Sequence, residues 1–420
     1  MKSPVLMLAT LLALLPVAAG RAESIAVNAI NALGIDLLHQ TAPTNGNALL
    51  SPYSIQIAMA MTCAGADGET RAEMIRVLHY PTDETQVDHS FAGLQTDLAA
   101  AMQRQAAQSV AEQKFGVTNQ PLTLTTANRL FGQTGYQFRP AFLNLLRDTY
   151  LAPFEAVDFI HDAAAVTTNI NTWVEQQTRD RIRDLIPADA LNPATRLVLV
   201  NAIYLKAPWQ KAFAESATQS QSFHVPAGPA IMVPTMFVNE AFGYAQRAGY
   251  RVVVIPYAGG DLQLVILLPD ALDGLAALTA SLTPEVLSGC ADLPRQSVNL
   301  YLPKFKLEPP LLSLSQALQS LGMTTAFNHP VGSANFDRMA PRRPDDYLYI
   351  SDIFHKTFLK LDESGTEAAA ATAVVMARFM GMPVNPLPPV DVHVDHPFLF
   401  AIQHRASGAC LFLGQLTDPR

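Results

Sequence analysis

Helical periodicity fills the first half of this sequence and strand patterning the second, and that segregation limits the possible architecture more than any other feature. Ile30, Leu33, Leu37 and Leu38 fall on one helical face. Ser51-Pro52 sets a capping serine before a proline at the first helical position, and Ile55, Ala58, Met59 and Thr62 continue that helix. Phe91–Glu112, rich in Ala and Gln, reads as another. So does the amphipathic run Ile170–Leu185, with Trp173 and Ile182 among its apolar positions. Beyond it the pattern changes. Leu197–Leu205 and Val252–Pro256 are buried-strand candidates, and Leu262–Leu268 is almost wholly apolar. Ala258-Gly259-Gly260-Asp261 supplies a hairpin turn between the last two. Val298–Leu307 alternates, and Phe398–Ile402 and Cys410–Leu416 flank a turn at Arg405–Gly408. Helices followed by strands predict an α+β fold with large sheets. No repeat or Ser/Gly-rich linker divides the 420 residues, so one domain is expected.

Thr366–Pro389 stands apart. It opens on an alanine run that would ordinarily be helical, then accumulates Pro383, Pro386, Pro388 and Pro389, with Pro397 further on. It separates two strand candidates, Tyr347–Leu361 and Asp391–His393. A connection of this length without structure of its own is functional or disordered.

Composition removes several classes of function. Hydrophobic residues at 49% and charged residues at 15% exclude general disorder. A net charge of -8 without clustered Lys and Arg disfavours nucleic acid and anionic membranes as partners. The N-terminus has the form of a signal peptide spanning residues 1–22: Lys2, the apolar run Val5–Ala19, then small residues. Cleavage is expected after Ala22, with Ala19 as the alternative. The run is shorter than the roughly 20 residues of a spanning helix. A secreted or periplasmic location is therefore expected, as for an exported bacterial protein. Cys63, Cys290 and Cys410 leave at least one thiol unpaired, and no Asn-x-Ser/Thr sequon is present.

Searches for catalytic chemistry return little. There is no Gly-x-Ser-x-Gly elbow, no His-Glu-x-x-His helix, no phosphate-cradling loop and no Cys/His cluster with metal spacing. Ser351, Asp352 and His355 could be assembled into a triad on paper. Neighbours along one strand seldom reach the required mutual geometry. No metal, no cofactor and no enzymatic turnover are expected.

Specific segments, taken in order, resemble the serpin family over Ile25–Pro419. They include NALLSPYSI (Asn47–Ile55), TANRLF (Thr126–Phe131), INTWVEQQTRDRIRDLI (Ile170–Ile186) and LVNAIYLKAPW (Leu199–Trp209). LYLPKF (Leu300–Phe305) and LGMTTAF (Leu321–Phe327) follow, and His355-Lys356, ESGTEAAAAT (Glu363–Thr372) and HPFL (His396–Leu399) are the most specific. The resemblance implies one domain, residues 23–420, of about nine helices and three β-sheets. It also implies an exposed reactive-centre loop at about 365–389. In inhibitory members a protease attacks this loop as a substrate and forms an acyl-enzyme. The cut loop then inserts as a new strand in the main sheet and carries the protease away.

The hinge can be tested by parity. Of Gly365, Thr366, Glu367, Ala368, Ala369, Ala370, Ala371 and Thr372, the even-numbered residues would face the core of an inserted strand, and they are small and uncharged. Glu367 falls on the outward face. The family's count from Glu363 places the reactive bond at Phe379–Met380, which suits chymotrypsin-like proteases. A slip of one gives Arg378–Phe379 and trypsin-like ones. The stretch from Met380 to Pro397 is long for the family. By motif, Ser51, Ser54, Asn201 and His355 match the polar "shutter" beneath the sheet opening. Glu363, Lys304 and Trp209 match the "breach" where the loop first enters.

The implied partner is a serine protease held covalently, and the resemblance admits cysteine proteases as a further class. No basic face is evident between Phe91 and Gly116, so heparin activation is not expected. The competing readings are a non-inhibitory serpin acting as carrier, chaperone or storage protein, and an unrelated exported hydrolase.

Overall fold

Proline at the start of the second helix does what its position requires. The computed structural model describes residues 24–113, 121–226, 228–367 and 388–420. In it Ser51 is the cap, and its Oγ accepts the Ser54 amide at 3.3 Å. Nine α-helices lie among the described residues: α1 (Ile25–Thr41), α2 (Pro52–Gly65), α3 (Gly68–Val77), α4 (Glu84–Gln113), α5 (Pro140–Thr149), α6 (Phe159–Gln177), α7 (Leu275–Ser281), α8 (Pro284–Ser288) and α9 (Ser315–Ser320).

The strands are β1 (Ala48–Leu50), β2 (Thr123–Gln133), β3 (Phe154–Val157), β4 (Leu197–Pro208), β5 (Gln219–Phe223), β6 (Ile231–Arg247), β7 (Tyr250–Pro256), β8 (Leu262–Pro269), β9 (Arg295–Pro303), β10 (Phe305–Leu307), β11 (Leu312–Ser313), β12 (Phe354–His355), β13 (Leu359–Asp362), β14 (Gly365–Thr366), β15 (Val390–His393), β16 (Phe398–His404) and β17 (Ala409–Leu416). They form three sheets. The nine-stranded one runs β1-β17-β16-β8-β7-β6-β9-β15, with β5 on β6. The six-stranded one runs β10-β13-β14-β4-β2-β3, and β11-β12 form a pair. The architecture is the expected α+β type.

Strands β8, β16 and β17 are buried along their whole length. A strand covered on both faces has no polar side to show, which is why these read as continuous apolar runs. Strand β4 instead separates two cores. Val200 and Ala202 pack with Ile170 and Val174 of α6 on one face, while Ile203, Leu205 and Ala207 join the main core on the other. The six-stranded sheet is therefore sandwiched, with α6 outside and α2 inside.

Several expectations are corrected. The helix expected over Ile170–Leu185 ends at Gln177, because Arg179 and Asp180 take left-handed backbone (φ 52° and 61°). The Thr178 hydroxyl then accepts the Ile182 amide at 3.1 Å. Ile182 and Leu185 stay buried, as their spacing required, but from a loop. The strand expected over Tyr347–Leu361 contracts to β12 and β13, and the one over Val298–Leu307 breaks at Lys304. All three cysteines are buried and unbridged. The expected leader, hinge residues Ala368–Thr372 and the candidate bond residues Arg378, Phe379 and Met380 lie outside the described residues.

Candidate functional site

Glu363 leaves the end of β13 into a half-buried polar knot. Lys304 Nζ lies 3.0 Å from its Oε1 and 2.8 Å from its Oε2, and the Thr218 hydroxyl donates to Oε1 at 2.8 Å. Burial pushes this carboxyl up. Lys304 and Thr218 outweigh that and hold it below its ordinary range. The Trp209 indole donates to the Asp362 carbonyl at 2.9 Å, and its amide donates to the Ser364 carbonyl at 3.0 Å. The indole stacks on Tyr257 with centroids 4.6 Å apart, and the Tyr257 hydroxyl lies 2.6 Å from Thr366 Oγ1. Of the three residues matched to the breach by motif, Glu363 and Lys304 touch, and Trp209 bonds the backbone on either side of Glu363. Thr218 and Tyr257 complete the group, and no motif pointed to them.

The chain then turns and starts a new strand. β14 is antiparallel to both neighbours: Leu361 faces Thr366 on one side, and Ala207 faces Thr366 on the other. Gly365 has φ 145°, and a Cβ there would sit 2.2 Å from the Ala207 carbonyl oxygen, so no other residue fits. Thr366 points inward and is 1% exposed. Two hinge residues thus already occupy the gap between β4 and β13. Glu367 comes next. Its amide still donates to the Lys360 carbonyl at 2.8 Å, but its backbone is left-handed (φ 50°). Its carboxylate pairs with Arg181 from the loop after α6. Burial raises the pKa of Glu367 against the pull of Arg181.

Below Thr366 no described strand pairs with this edge of β4. β4 and residues 347–355 diverge around a cavity of about 200 Å3, lined among others by Ser54, Leu199, Asn201, Ile353 and His355. His355 Nε2 accepts the Ser51 amide at 3.1 Å, and the Ser51 hydroxyl donates to the Leu411 carbonyl at 2.7 Å. Burial lowers the pKa of His355 to about 4, so the ring is neutral near pH 7. On the opposite wall Asn201 donates to the side-chain oxygen of Asn128 on β2, a partner the motifs did not single out. Asn201 Oδ1 is buried with no hydrogen-bond partner among the described residues. Three of the four shutter residues, Ser54, Asn201 and His355, therefore line one cavity, and Ser51 stands behind it, bonded to His355.

Ser351, Asp352 and His355 do not form a hydrogen-bonded set among the described residues. The hydroxyls of Ser313 and Ser315 donate to Asp352 Oδ1 at 2.6 and 2.5 Å, so that carboxylate serves two serines of the neighbouring segment. The cavity is bordered by the Leu197–Leu199 and Asn201 part of β4 and by residues 347–355, with the neutral polar groups of Ser54, Asn201 and His355 in its lining.

Comparison with known proteins gives one answer. The family model described as Serpin (serine protease inhibitor) matches residues 28–419. An uncharacterized serpin-like protein of Thermococcus kodakarensis is 35% identical over 405 residues, covering 95% of this chain and 87% of that one. The human leukocyte elastase inhibitor is 36% identical over 383 residues, covering 89% of this chain and 93% of that one. Among solved structures, Cleaved Serpin 42Da superposes with a TM-score of 0.77 at 33% identity, covering 94% of this chain and 99% of that one.

Proposed function

The chain belongs to the serpin family, and from that premise we propose that it is an irreversible, suicide-substrate inhibitor of serine proteases with chymotrypsin-like preference. The observation that carries this reading is the hinge itself, with Thr366 paired on both sides and no described strand on the edge of β4 below it.

The register supports the reading. Each step forward along the hinge is one step back along β4, so Ala368 would come opposite Leu205, Ala370 opposite Ile203 and Thr372 opposite Asn201. The inward set is small enough to pass between the two strands. Thr372 would bring a hydroxyl to Asn201 Oδ1, a buried side-chain atom with no partner among the described residues. The same count along the other edge brings Thr372 level with His355. Glu367, the single charge of the hinge, takes the outward side with Lys206.

The chemical sequence is that of an interrupted proteolysis. The protease serine adds to the Phe379 carbonyl, the bond to Met380 breaks, and the new amine takes the proton. The ester to Phe379 then rides on the inserting strand. About fifteen residues at strand rise reach roughly 50 Å. Pulling the ester from its oxyanion donors lowers deacylation about a hundredfold per donor lost. A relative at 36% identity is named for inhibiting an elastase, which supports protease inhibition in general.

Incubation with chymotrypsin should give a covalent complex that survives denaturing electrophoresis, and release a peptide beginning at Met380. Cleavage without a complex would favour the carrier, chaperone or storage reading. A released peptide beginning at Phe379 would move the preference to trypsin-like enzymes. We also propose export. The leader pattern ends at Ala22, and helix α1 starts at Ile25, immediately beyond it. Intact mass of the mature protein should place its first residue at Glu23.

A further inference from the structure

Among the described residues the paired hinge is the two residues of β14, and the left-handed residue that follows them is not a glycine. Seven non-glycine residues among the described ones have left-handed backbone, and four of them are Glu367 on the hinge and Arg179, Asp180 and Asp184, which lie within three positions of its partner Arg181 in the loop after α6. Such backbone is uncommon away from glycine and persists where surrounding contacts hold it.

The loop is held firmly. Asn171 of α6 bonds the Ile186 amide and carbonyl, both at 2.8 Å. Lys356 Nζ donates to the Arg183 carbonyl at 2.7 Å, tying the loop to the segment that carries His355. Arg181 lies over the Phe358 ring at 5.3 Å and pairs with Glu367. The Glu367 side chain is 8% exposed, so this ion pair is shielded on its acidic side.

We infer that Arg181 is the positioning residue that holds the hinge at two paired residues and restrains insertion of the uncut loop. The inference rests on the insertion reading above. The Glu367 amide already has its strand partner, Lys360. Extending β14 therefore requires rotation about the Glu367 N–Cα bond, from φ 50° to the extended region. That rotation swings Cβ along with the carbonyl. The carboxylate cannot stay on Arg181 while it happens, so the pair opposes each attempt at further insertion. Once the loop is cut, the whole strand's hydrogen bonds and burial act against this one contact and prevail.

Arg181→Gln and Glu367→Gln each remove the pair, and the charge exchange R181E/E367R restores it with the partners reversed. The readout is spontaneous conversion of uncut protein to the inserted form, followed by native electrophoresis and by loss of inhibitory activity at elevated temperature. Each single variant should convert about tenfold faster than the wild type. The exchange should return the rate to within about threefold of the wild type, which a merely structural loss at either position would not do. Conversion of both single variants at the wild-type rate, or failure of the exchange to slow it, overturns the role of Arg181. Thermal melting of protein cut in the loop separates the two ideas. If cut wild-type protein gains no stability, the insertion reading falls and takes this inference with it. If it does gain stability, only the role of Arg181 is at stake.

Discussion

His355 is a titratable group kept where protonation is opposed. Its pKa falls from 6.5 to about 4 through burial. The unfolded chain takes up this proton below about pH 6.5 and the folded protein does not until about pH 4. The contribution is therefore complete above pH 6.5 and is lost as pH falls toward 4, by about 3 kcal/mol in all. Urea midpoints should drop between pH 7 and 5, and His355→Gln should flatten that slope. Asn201 invites a different experiment. Its Oδ1 has no partner among the described residues, and on the proposed insertion it would gain Thr372. Asn201→Ala should reduce the stability gained on loop cleavage by about 1 kcal/mol. Cleaved and uncleaved melting curves of both proteins measure this directly. At this scale the sequence was legible through motifs alone. Ser51, Ser54, Asn201 and His355 could be named together. The pairing of Asn201 with Asn128, and of Tyr257 with Thr366, could not, because the partners stand 73 and 109 positions apart.

Elements carry the parity of the inserting strand. Ala370 would face inward against Ile203, whereas Ala371 would face out. Ala370→Glu should bury an unpaired carboxylate at a cost of several kcal/mol and turn the inhibitor into a substrate. Ala371→Glu should leave complex formation close to normal. The ratio of complex to cleaved product on a denaturing gel checks both, and equal behaviour of the two variants would remove the parity argument. Long periodic elements were legible, while their ends and interruptions were not. Helix α6 stops at Gln177 although the apolar spacing runs on to Leu185, since Ile182 and Leu185 are buried equally well from the loop. Strand β6 escaped notice because Pro234 and Gly243 lie within it. Pro234 has no amide to donate, which ordinarily demotes a strand. Here it sits beside β5, and its carbonyl accepts the Lys304 amide.

At the scale of the whole molecule, the six-stranded sheet is incomplete. Two residues of β14 separate β13 from β4, and further along β4 a cavity lies between Leu197–Asn201 and residues 347–355. Cutting the loop between Phe379 and Met380 should let the strand fill it and raise the melting temperature by circular dichroism. Ala370→Glu should abolish that rise. The segregation of helices and strands along the chain was enough for the α+β class, and hairpins such as β7–β8 and β16–β17 followed from their turns. The order of strands within each sheet did not follow. β16 lies between β17 and β8, and β9 lies between β6 and β15, through pairings that span up to about 140 residues and have no local signature.

The stacking of Trp209 on Tyr257 makes the hinge visible to light. The chain has two tryptophans. Trp209 is linked through Tyr257 to Thr366 of the hinge, and Trp173 lies on α6 under the Arg129 guanidinium, 4.5 Å away. Fluorescence of a Trp173→Phe protein would follow movement of the hinge at Thr366 as the cut loop inserts. A Trp209→Phe protein would follow the passage of the strand beneath α6. The two emission changes, timed against each other in a stopped-flow instrument, would order the steps of inhibition without any attached dye.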